Sequence, residues 1–539
     1  MNVTKFVSSI KRFWIFPFLC IWLLACSPPQ VTQAQLSVVV NADGKNYRVE
    51  LPSGSTVQQA FEKAGITLSE LDRSDPPVYT VLTDGSAVNL TRVKEEFEVE
   101  QVTVPFERQV VQNESLPVGE TRLSQPGENG LKEITYRRLF ENDVEVSRTE
   151  VKTTILKEAI PEIVMVGSQT PYTTLPIPGK LAYLSAGNAW IMERTTGERK
   201  AVVTTGDLDG RIFSLSPDGE WLLFTRDMDQ ENVINSLWAV RLDTESSTLV
   251  DLKASNIVHF AAFSPNSLTI AYSTVEPRSA APGWQANNDL YLVGISQSGF
   301  VTKARSLIET NSGGVYGWWG TDYVWSPEGE RLAYSRPDGI GIIQIQEDIV
   351  ITPLRDVIPF QTGGDWAWVP GIDWTPDGKT LYFVDHLAVD GSPSPEESTV
   401  FDMVANPLEA GPSVNLASQV GMFAYPVASP LQSEVGSQPG EAASQVAYLQ
   451  AIIPTQSDTS RYQLVISDRD GSNKKVLFPE SGAQGLDPQH IVWSPSTLGD
   501  GGDYAIAIVY QNNIWLVNTA DGQAQQITGD GLTAKIDWR

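Results

Sequence analysis

Short apolar runs recur along the C-terminal two thirds of the chain, each bounded by polar or turn-forming residues. Seven of them stand at 181–183, 222–224, 270–272, 332–334, 381–383, 446–448 and 506–508. Most are followed by a second apolar run, such as 237–240, then by a polar turn and a weaker run. Runs of this length that are rich in β-branched and aromatic residues indicate strands. Four short strands per unit of roughly 40 to 65 residues indicate a propeller blade.

A recurring turn precedes six of these runs. It consists of a large or apolar residue, then Ser or Thr, then Pro, and its clearest copies begin at Leu215, Trp325 and Trp374. Proline fixes φ near the value that a turn needs, and the glycine that closes the clearest copies accepts positive φ. The repeat predicts a mainly β fold with a seven-bladed β-propeller at 171–539, with six to eight blades as the range of the count.

The end of the chain repeats the start of a blade. Ile536-Asp537-Trp538 matches Ile372-Asp373-Trp374. We therefore expect the last residues to form the first strand of a blade whose other strands begin at Leu181. A terminal strand that completes the first blade leaves no open edge.

The Ser-Pro-Asp-Gly turn followed by an apolar strand resembles the repeat of TolB-like propellers. The resemblance covers about two thirds of the chain and is specific for the fold. It says little about function, because propellers of this kind include scaffolds, binding modules and the non-catalytic halves of peptidases.

The first 25 residues have the pattern of a signal peptide. A basic stretch ends at Arg12, an apolar run follows at 13–24, and Leu-Leu-Ala precedes Cys26. The apolar run is short for a membrane span. The motif resembles the lipobox of bacterial lipoproteins, which implies lipid on Cys26, a tether at 26–35 and an extracytoplasmic protein anchored in a membrane of the cell envelope. An ordinary secretory signal or a single-pass anchor is the alternative.

The charge of the chain limits its possible partners, and its cysteine content limits its possible disulfides. The chain has a formal net charge of −27 and two cysteines. Such an acidic surface repels phosphate backbones, so we expect no nucleic-acid partner. Cys20 lies in the predicted leader, so the mature protein would contain no disulfide and would depend on its core.

Residues 36–93 have a different pattern from the repeats. Two strands surround the turn at Asp43-Gly44, a helix follows that we expect Ser55 to cap, and further strands come after it. This order predicts a small β-grasp-like unit.

Residues 94–170 alternate over long stretches, with glycines such as Gly119, Gly127, Gly130 and Gly167 between them. This pattern resembles the G-five module, and the preceding unit is similar to the ubiquitin-like repeat that accompanies it in resuscitation-promoting factors. Asn142-Asp143 stands where the fourth glycine is expected, and both residues tolerate left-handed turns. The resemblance implies adhesion and an N-acetylglucosamine-type cell-wall glycan as partner. A spacer role is the alternative of equal weight.

No catalytic motif was recognised, so we expect a protein that is not an enzyme and has no cofactor or metal. His259 and His490 each lie just upstream of a Ser-Pro turn, where we expect them to occupy equivalent positions of two blades, and the repeat explains them better than metal binding does. We expect His386, after a core strand, to be solvated or hydrogen-bonded rather than a ligand.

Tryptophans and acids concentrate in the loops between strands of neighbouring units. Exposed rings beside carboxylates suit sugars, because apolar sugar faces stack on rings while hydroxyl groups find acceptors. The candidate ligand-binding residues are Trp284, Trp318, Trp319, Trp366, Trp368, Asp365 and Asp385. The alternative is that these rings pack between blades, as we expect of Trp325, Trp374 and Trp493.

These observations favour a surface lipoprotein with a binding role. Its partners would be cell-wall glycan or another polysaccharide, through the G-five-like module, and a protein or saccharide through one propeller face. A propeller-based glycan hydrolase or lyase that uses carboxylates such as Asp365 and Asp385 is the rival function. A scaffold for envelope proteins is a third possibility.

Overall fold

The computed structural model describes residues 34–539, apart from 114–115, 117, 168–171, 243–247, 347–348, 390–393, 410, 431–444 and 500–501. The predicted signal peptide and Cys26 lie outside the described residues. The chain forms two compact units, Met1–Glu107 with Gly127–Ile160, and Arg108–Pro126 with Pro161–Arg539. The chain thus passes from the first unit to the second at residue 108, returns to the first unit at 127, and enters the second unit again at 161.

The first unit begins with a four-stranded sheet and a single helix. Its elements are β1 (Gln35–Ala42), β2 (Lys45–Pro52), α1 (Val57–Lys63), β3 (Arg73–Asp75) and β4 (Ala87–Thr91). The strand order is β2-β1-β4-β3, and β1 pairs with β4 in parallel. The helix buries Val57, Ala60 and Phe61 against the apolar side of β1. This is the β-grasp-like arrangement that the pattern predicts.

The helix is capped one residue later than the sequence suggests. Thr56 is the N-cap, and its backbone N–H donates to Oε1 of Gln59 at 2.9 Å. The Ser55 hydroxyl instead donates to the carbonyl of Pro52 at 2.8 Å. Ser55 therefore closes the preceding turn, and the expectation that it caps the helix was wrong.

Three long strands complete the first unit, β5 (Val93–Val104), β8 (Gly130–Glu141) and β9 (Val144–Lys157). They form a sheet of order β5-β8-β9. Asn142 and Asp143 take φ values of 49° and 65° in the turn between β8 and β9. The left-handed turn thus forms without glycine, as predicted. We call this sheet the long sheet.

The second unit contains a three-stranded sheet from the same part of the sequence. Its strands are β6 (Arg108–Asn113), β7 (Thr121–Gln125) and β10 (Glu162–Gly167), in the order β6-β10-β7. Val111 and Ile163 belong to a buried cluster that also contains Leu181 and Trp190 of the following strands. The sheet therefore shares a core with the start of the repeats.

Seven antiparallel sheets make up the rest of the described second unit. The first has the order β12 (Asn188–Val203), β11 (Pro176–Ser185) and β39 (Thr533–Trp538). The second is β13 (Leu208–Leu215), β14 (Trp221–Gln230), β15 (Val233–Arg241) and β16 (Leu249–Ser255). The third is β17 (Ala261–Phe263), β18 (Thr269–Tyr272), β21 (Leu290–Gly294) and β22 (Arg305–Ile308), with a hairpin of β19 (Val275–Pro277) and β20 (Trp284–Ala286) beside it.

The remaining four sheets each run in chain order. They are β23 (Asp322–Trp325), β24 (Arg331–Arg336), β25 (Gly339–Gln344) and β26 (Val350–Asp356); β27 (Ile372–Trp374), β28 (Thr380–Leu387), β29 (Val400–Pro407) and β30 (Val414–Ala417); β31 (Val427–Ala428), β32 (Gln445–Ala451), β33 (Tyr462–Asp468) and β34 (Lys475–Phe478); and β35 (Val492–Trp493), β36 (Ala505–Tyr510), β37 (Asn513–Asn518) and β38 (Ala524–Gln526). Short 3₁₀ turns stand at Pro395–Glu397 and Pro454–Gln456. The repeat read from the sequence therefore corresponds to one sheet per copy.

The Ser or Thr hydroxyl of five repeated turns closes the hairpin between the first two strands of its sheet. The backbone N–H of Trp221 donates to the Ser216 hydroxyl at 2.9 Å, and that of Arg331 donates to Ser326 at 3.0 Å. The same bond joins Thr380 to Thr375 and Ala505 to Ser494, each at 3.0 Å. These hydroxyls are buried, and the bond stabilises the hairpin because a buried amide without a partner loses its hydrogen bond to water.

Neighbouring sheets are joined through their first strands. The indole N–H groups of Trp325, Trp374 and Trp493 donate to carbonyls of the preceding sheets, on Ala262, Val324 and Val427, at 3.3, 3.0 and 3.2 Å. These three rings pack between sheets, as expected.

The end of the chain pairs with the first of the seven sheets. β39 pairs antiparallel with β11, with Trp538 opposite Leu181. The carboxylate of Asp537 accepts the backbone N–H of Leu215 at 2.7 Å, and its sequence counterpart Asp373 accepts that of Ala428 at 2.8 Å. The pairing predicted from the repeated Ile-Asp-Trp motif is confirmed.

Candidate functional site

The first strands of several sheets begin around one cavity of about 380 Å³, which we call the inner pocket. Five of its lining residues stand three positions before the residue that precedes Ser or Thr in the repeated turn. They are Phe260, Asp322, Gly371, Tyr425 and His490. The repeat thus brings one position from each of five sheets to the same place.

Aromatic rings form much of the lining. The ring of Trp366 lies 6.2 Å from that of Phe423, and Phe423 lies 6.0 Å from Tyr425. Trp319 lines the pocket from the connection between the third and fourth sheets, and Tyr323 lines it from the first strand of the fourth sheet. A Cβ at Gly371 would stand 3.0 Å from Cδ1 of Tyr425, so the absence of a side chain there leaves room for the tyrosine ring.

Among the described residues that line the pocket, Asp322 carries the one carboxylate. It is the first residue of β23, and no hydrogen bond or ion pair joins its side chain to another residue in the part of the chain that the structure describes. Burial raises its pKa to about 7, because the protein around it solvates the charged form poorly. The group can therefore hold or lose a proton near neutral pH.

Two imidazoles line the pocket. Burial lowers the pKa of His259 to about 4. His490 keeps an exposed surface, and desolvation within the pocket and the nearby Lys535 ammonium both lower its pKa. The ring centroid of His490 lies 4.3 Å from that of Tyr425, and the two rings are tilted by 38°. The two histidines are one position apart in the repeat, so they are not the equivalent residues that the sequence suggests.

Trp284, Trp318 and Trp319 form a cluster beside the pocket. Ring centroids are 5.5 Å apart for Trp284 and Trp319 and 6.0 Å apart for Trp318 and Trp319. The Arg211 guanidinium lies 5.1 Å from the ring of Trp284. All three tryptophans are half-buried, and of the three only Trp319 lines the pocket among the described residues. The structure therefore brings these predicted residues together.

The other predicted residues are more dispersed. Trp366 is half-buried and lines the pocket, whereas Asp365 is exposed beside it. Trp368 is only 1% exposed, and its indole N–H donates to the Met422 carbonyl at 2.9 Å. Trp368 touches the pocket from within the core and is not the exposed ring that the sequence suggests.

Asp385 is buried and paired. Its carboxylate lies 2.6 Å from the Arg355 guanidinium, and burial raises its pKa against the opposing effect of that ion pair. The neighbouring His386 is buried, with ring nitrogens 2.8 and 2.7 Å from the carbonyl oxygens of Ile358 and Ser398. Both side chains hold strands together, which differs from the exposed placement expected of Asp385 and agrees with the hydrogen-bonded one expected of His386.

Sequence reasoning missed Tyr425 and His490 as pocket residues. The signal was present, because counting back three residues from each position before Ser/Thr-Pro finds both, together with Asp322. The loop tryptophans that the sequence predicts as ligand contacts form only part of the lining, and the repeated position supplies the rest.

Two segments match known domain families. Residues 38–77 match the G5-linked-Ubiquitin-like domain, and residues 93–169 match the G5 domain. The chain contains a G5 domain. The matches confirm the resemblance inferred from the glycine pattern, and the G5 domain contributes strands to both compact units.

Two curated relatives match over part of their length. Resuscitation-promoting factor RpfB of Mycolicibacterium smegmatis is 24% identical over 166 residues, which cover 30% of this chain and 46% of that protein. Resuscitation-promoting factor Rpf2 of Corynebacterium glutamicum is 26% identical over 160 residues, 30% of this chain and 42% of that protein. The chain thus spans less than half the length of these relatives.

The repeats have counterparts of low similarity among solved structures. A TolB structure from Agrobacterium tumefaciens is 18% identical in sequence, and the match covers 60% of this chain and 95% of that chain with a TM-score of 0.33.

In the part of the chain that the structure describes, no helix has both the length and the apolar character to cross a bilayer.

Proposed function

We propose that this protein is a cell-envelope lipoprotein with a non-catalytic binding role. In this proposal Cys26 carries the lipid, the G5 domain binds an N-acetylglucosamine-type wall glycan, and the seven sheets close into a seven-bladed propeller that binds a second ligand. The G5 match, the ubiquitin-like segment before it and the partial likeness to resuscitation-promoting factors support the cell-wall location. The pairing of β39, at the end of the repeats, with β11, at their start, supports closure of the ring.

The surface of the long sheet carries the glycan part of the proposal. Phe97 and Val99 stand at alternate positions of β5 and are 61% and 57% exposed. Paired residues of an antiparallel sheet point to the same side, so Arg137, which pairs with Phe97, shares their face. Its guanidinium lies 2.8 Å from the Glu95 carboxylate.

This face offers both kinds of contact that a polysaccharide needs. The apolar faces of pyranose rings can stack on Phe97 and Val99, while hydroxyl and acetamido groups can bond to the charged pair beside them. Phe97 and Val99 stand two residues apart on β5, about 7 Å along the strand, so neighbouring sugar rings of one polymer can contact the two side chains.

Retention on insoluble glycan tests the proposal. The lipid-free chain is incubated with peptidoglycan and with an N-acetylglucosamine polymer, and bound protein is measured by sedimentation. We expect the Phe97→Ala/Val99→Ala variant to bind about tenfold more weakly, which corresponds to about 1.4 kcal/mol of lost contact.

Ile155→Ala is the matched control. Ile155 is similarly exposed, but it pairs with Lys132, which points to the opposite face of the sheet from Arg137. Equal retention of the double variant and the native chain would reject the glycan role of this face. New reducing ends in the supernatant would favour the hydrolase or lyase function instead.

A further inference from the structure

We propose that the inner pocket binds a small organic cation, whose ammonium group pairs with Asp322 among the aromatic rings. The proposal names a ligand class for the propeller part of the proposed function. It is independent of glycan binding by the long sheet.

The lack of partners for Asp322 is the first observation. Four other carboxylates that are buried or half-buried in the seven sheets have donors: Asp289 accepts from Thr274, Asp373 from Ala428, Asp385 from Arg355 and Asp537 from Leu215. Asp322 has no such donor among the described residues. Asp322 is only partly exposed, and it opens into the pocket. A carboxylate with little access to water and no donor beside it favours binding of a cation that enters the pocket.

The composition of the lining is the second observation. Trp319, Tyr323, Trp366, Phe423 and Tyr425 surround the space into which Asp322 opens. The negative faces of aromatic rings attract ammonium groups, and the attraction grows when water is excluded. No lysine or arginine is among the described residues that line the pocket. Lys535 and Arg211 lie close enough to lower the pKa of His490 and of His259, which keeps both rings from adding positive charge at neutral pH. Asp322 is therefore the charged side chain of the described lining.

The size of the pocket limits the ligand. A volume of about 380 Å³ lies at the lower end of the range of roughly 300–1,000 Å³ for small-molecule sites. An amino sugar with a free amine fits this chemistry, because its ring can stack, its hydroxyl groups can bond to His490 and Tyr425, and its ammonium group can pair with Asp322. A lysine side chain from a protein would supply the same ammonium group.

Calorimetry with a matched pair of sugars tests the proposal. Glucosamine and N-acetylglucosamine differ in charge at the same carbon, and both are titrated into the lipid-free full chain at pH 7. We expect glucosamine to bind at least about tenfold more tightly, and Asp322→Asn to abolish the difference. Nα-Acetyl-lysine amide, titrated in parallel, shows whether a protein amine is accepted as well as a sugar amine.

Glu330→Gln is the control variant, because it removes one exposed carboxylate from a turn of the same sheet. Equal binding of the two sugars, or native glucosamine affinity in Asp322→Asn, would overturn the proposal. Loss of glycan retention in the Phe97→Ala/Val99→Ala variant would leave the glucosamine result unchanged, so failures of the two proposals can be told apart.

The pH dependence gives a second readout. Tetramethylammonium keeps its charge at every pH, so a change in its affinity reports on the protein. Among the described residues, the titratable groups that line the pocket with Asp322 are His259, Tyr323, Tyr425 and His490, with pKa values that are lowered for the histidines and raised for the tyrosines. Lys535 lies beside His490, and Arg336 lies near Tyr323. The same titration of Asp322→Asn removes the contribution of these groups from the comparison. Affinity should rise about tenfold between pH 6 and pH 8 as Asp322 ionises, and a flat profile would contradict the assignment to Asp322.

Discussion

Asp322 differs from its counterparts in the other sheets because it places a charge where they place a ring, an imidazole or no side chain. Phe260, Gly371, Tyr425 and His490 occupy the same position of the repeat. None of them loses as much solvation on burial as a carboxylate does. A carboxylate in such a poorly solvated position is a candidate for function, because groups with strongly shifted pKa values concentrate at binding and catalytic sites.

The poor solvation of the Asp322 carboxylate should make the free energy of unfolding depend on pH. Folding raises the pKa of Asp322 from 3.8 to about 7, so between these values the folded state binds more protons than the unfolded one. The free energy of unfolding should therefore fall as pH rises from about 4 to about 7, by up to about 4 kcal/mol. Urea unfolding of Asp322→Asn should show a smaller loss between pH 5 and pH 8 than the native chain.

Asp373 acts in the same direction, because burial raises its pKa to about 6. The comparison with Asp322→Asn removes this contribution, since Asp373 is present in both proteins. Glu330→Gln should keep the native pH profile. An identical profile in Asp322→Asn would contradict the burial of an uncompensated carboxylate.

At the scale of elements, β39 links the two ends of the repeat region. Trp538 is fully buried, and its indole N–H donates to the Pro178 carbonyl at 2.7 Å. Trp538→Ala should lower the free energy of unfolding by about 3–5 kcal/mol, through the cavity and the lost bond. Trp538→Phe keeps a ring and should cost only about 1–3 kcal/mol for the unpaired carbonyl. Equal losses in the two variants, measured by urea unfolding, would contradict the packing role of the indole.

The sequence was sufficient for the repeated elements but not for the pocket. Ser216 and Ser326 mark hairpins because a hydroxyl accepts the amide five residues later, which is a local interaction. The pocket depends on the convergence of Asp322, Tyr425 and His490 from different sheets, and no local pattern states which neighbours meet. Burial of Trp368 was likewise decided by Met422, which stands 54 positions away. Thr56 rather than Ser55 caps the helix because Pro52 already accepts the Ser55 hydroxyl.

At the scale of the whole molecule, the proposed anchor makes a prediction about lipid attachment. Cys26→Ala should abolish the incorporation of a labelled fatty acid into the protein, because Cys26 is the residue that would carry the acyl chains. Cys20→Ala is the control, since Cys20 lies in the predicted leader. Labelling is measured on the protein recovered from cells, and equal labelling of Cys26→Ala and the native chain would argue against the lipid anchor.

The path of the chain between the two compact units restricts how the protein can be divided. Residues 108–126 and 161–167 form one sheet with each other, yet 127–160 between them belong to the first unit. A fragment that starts at Pro176 would lack this sheet and expose the apolar side chains that Val111 and Ile163 cover. Recombination that exchanges the repeats for another C-terminal module is therefore compatible with this fold only at a junction beyond Gly167, and only if the new module brings its own apolar patch to cover.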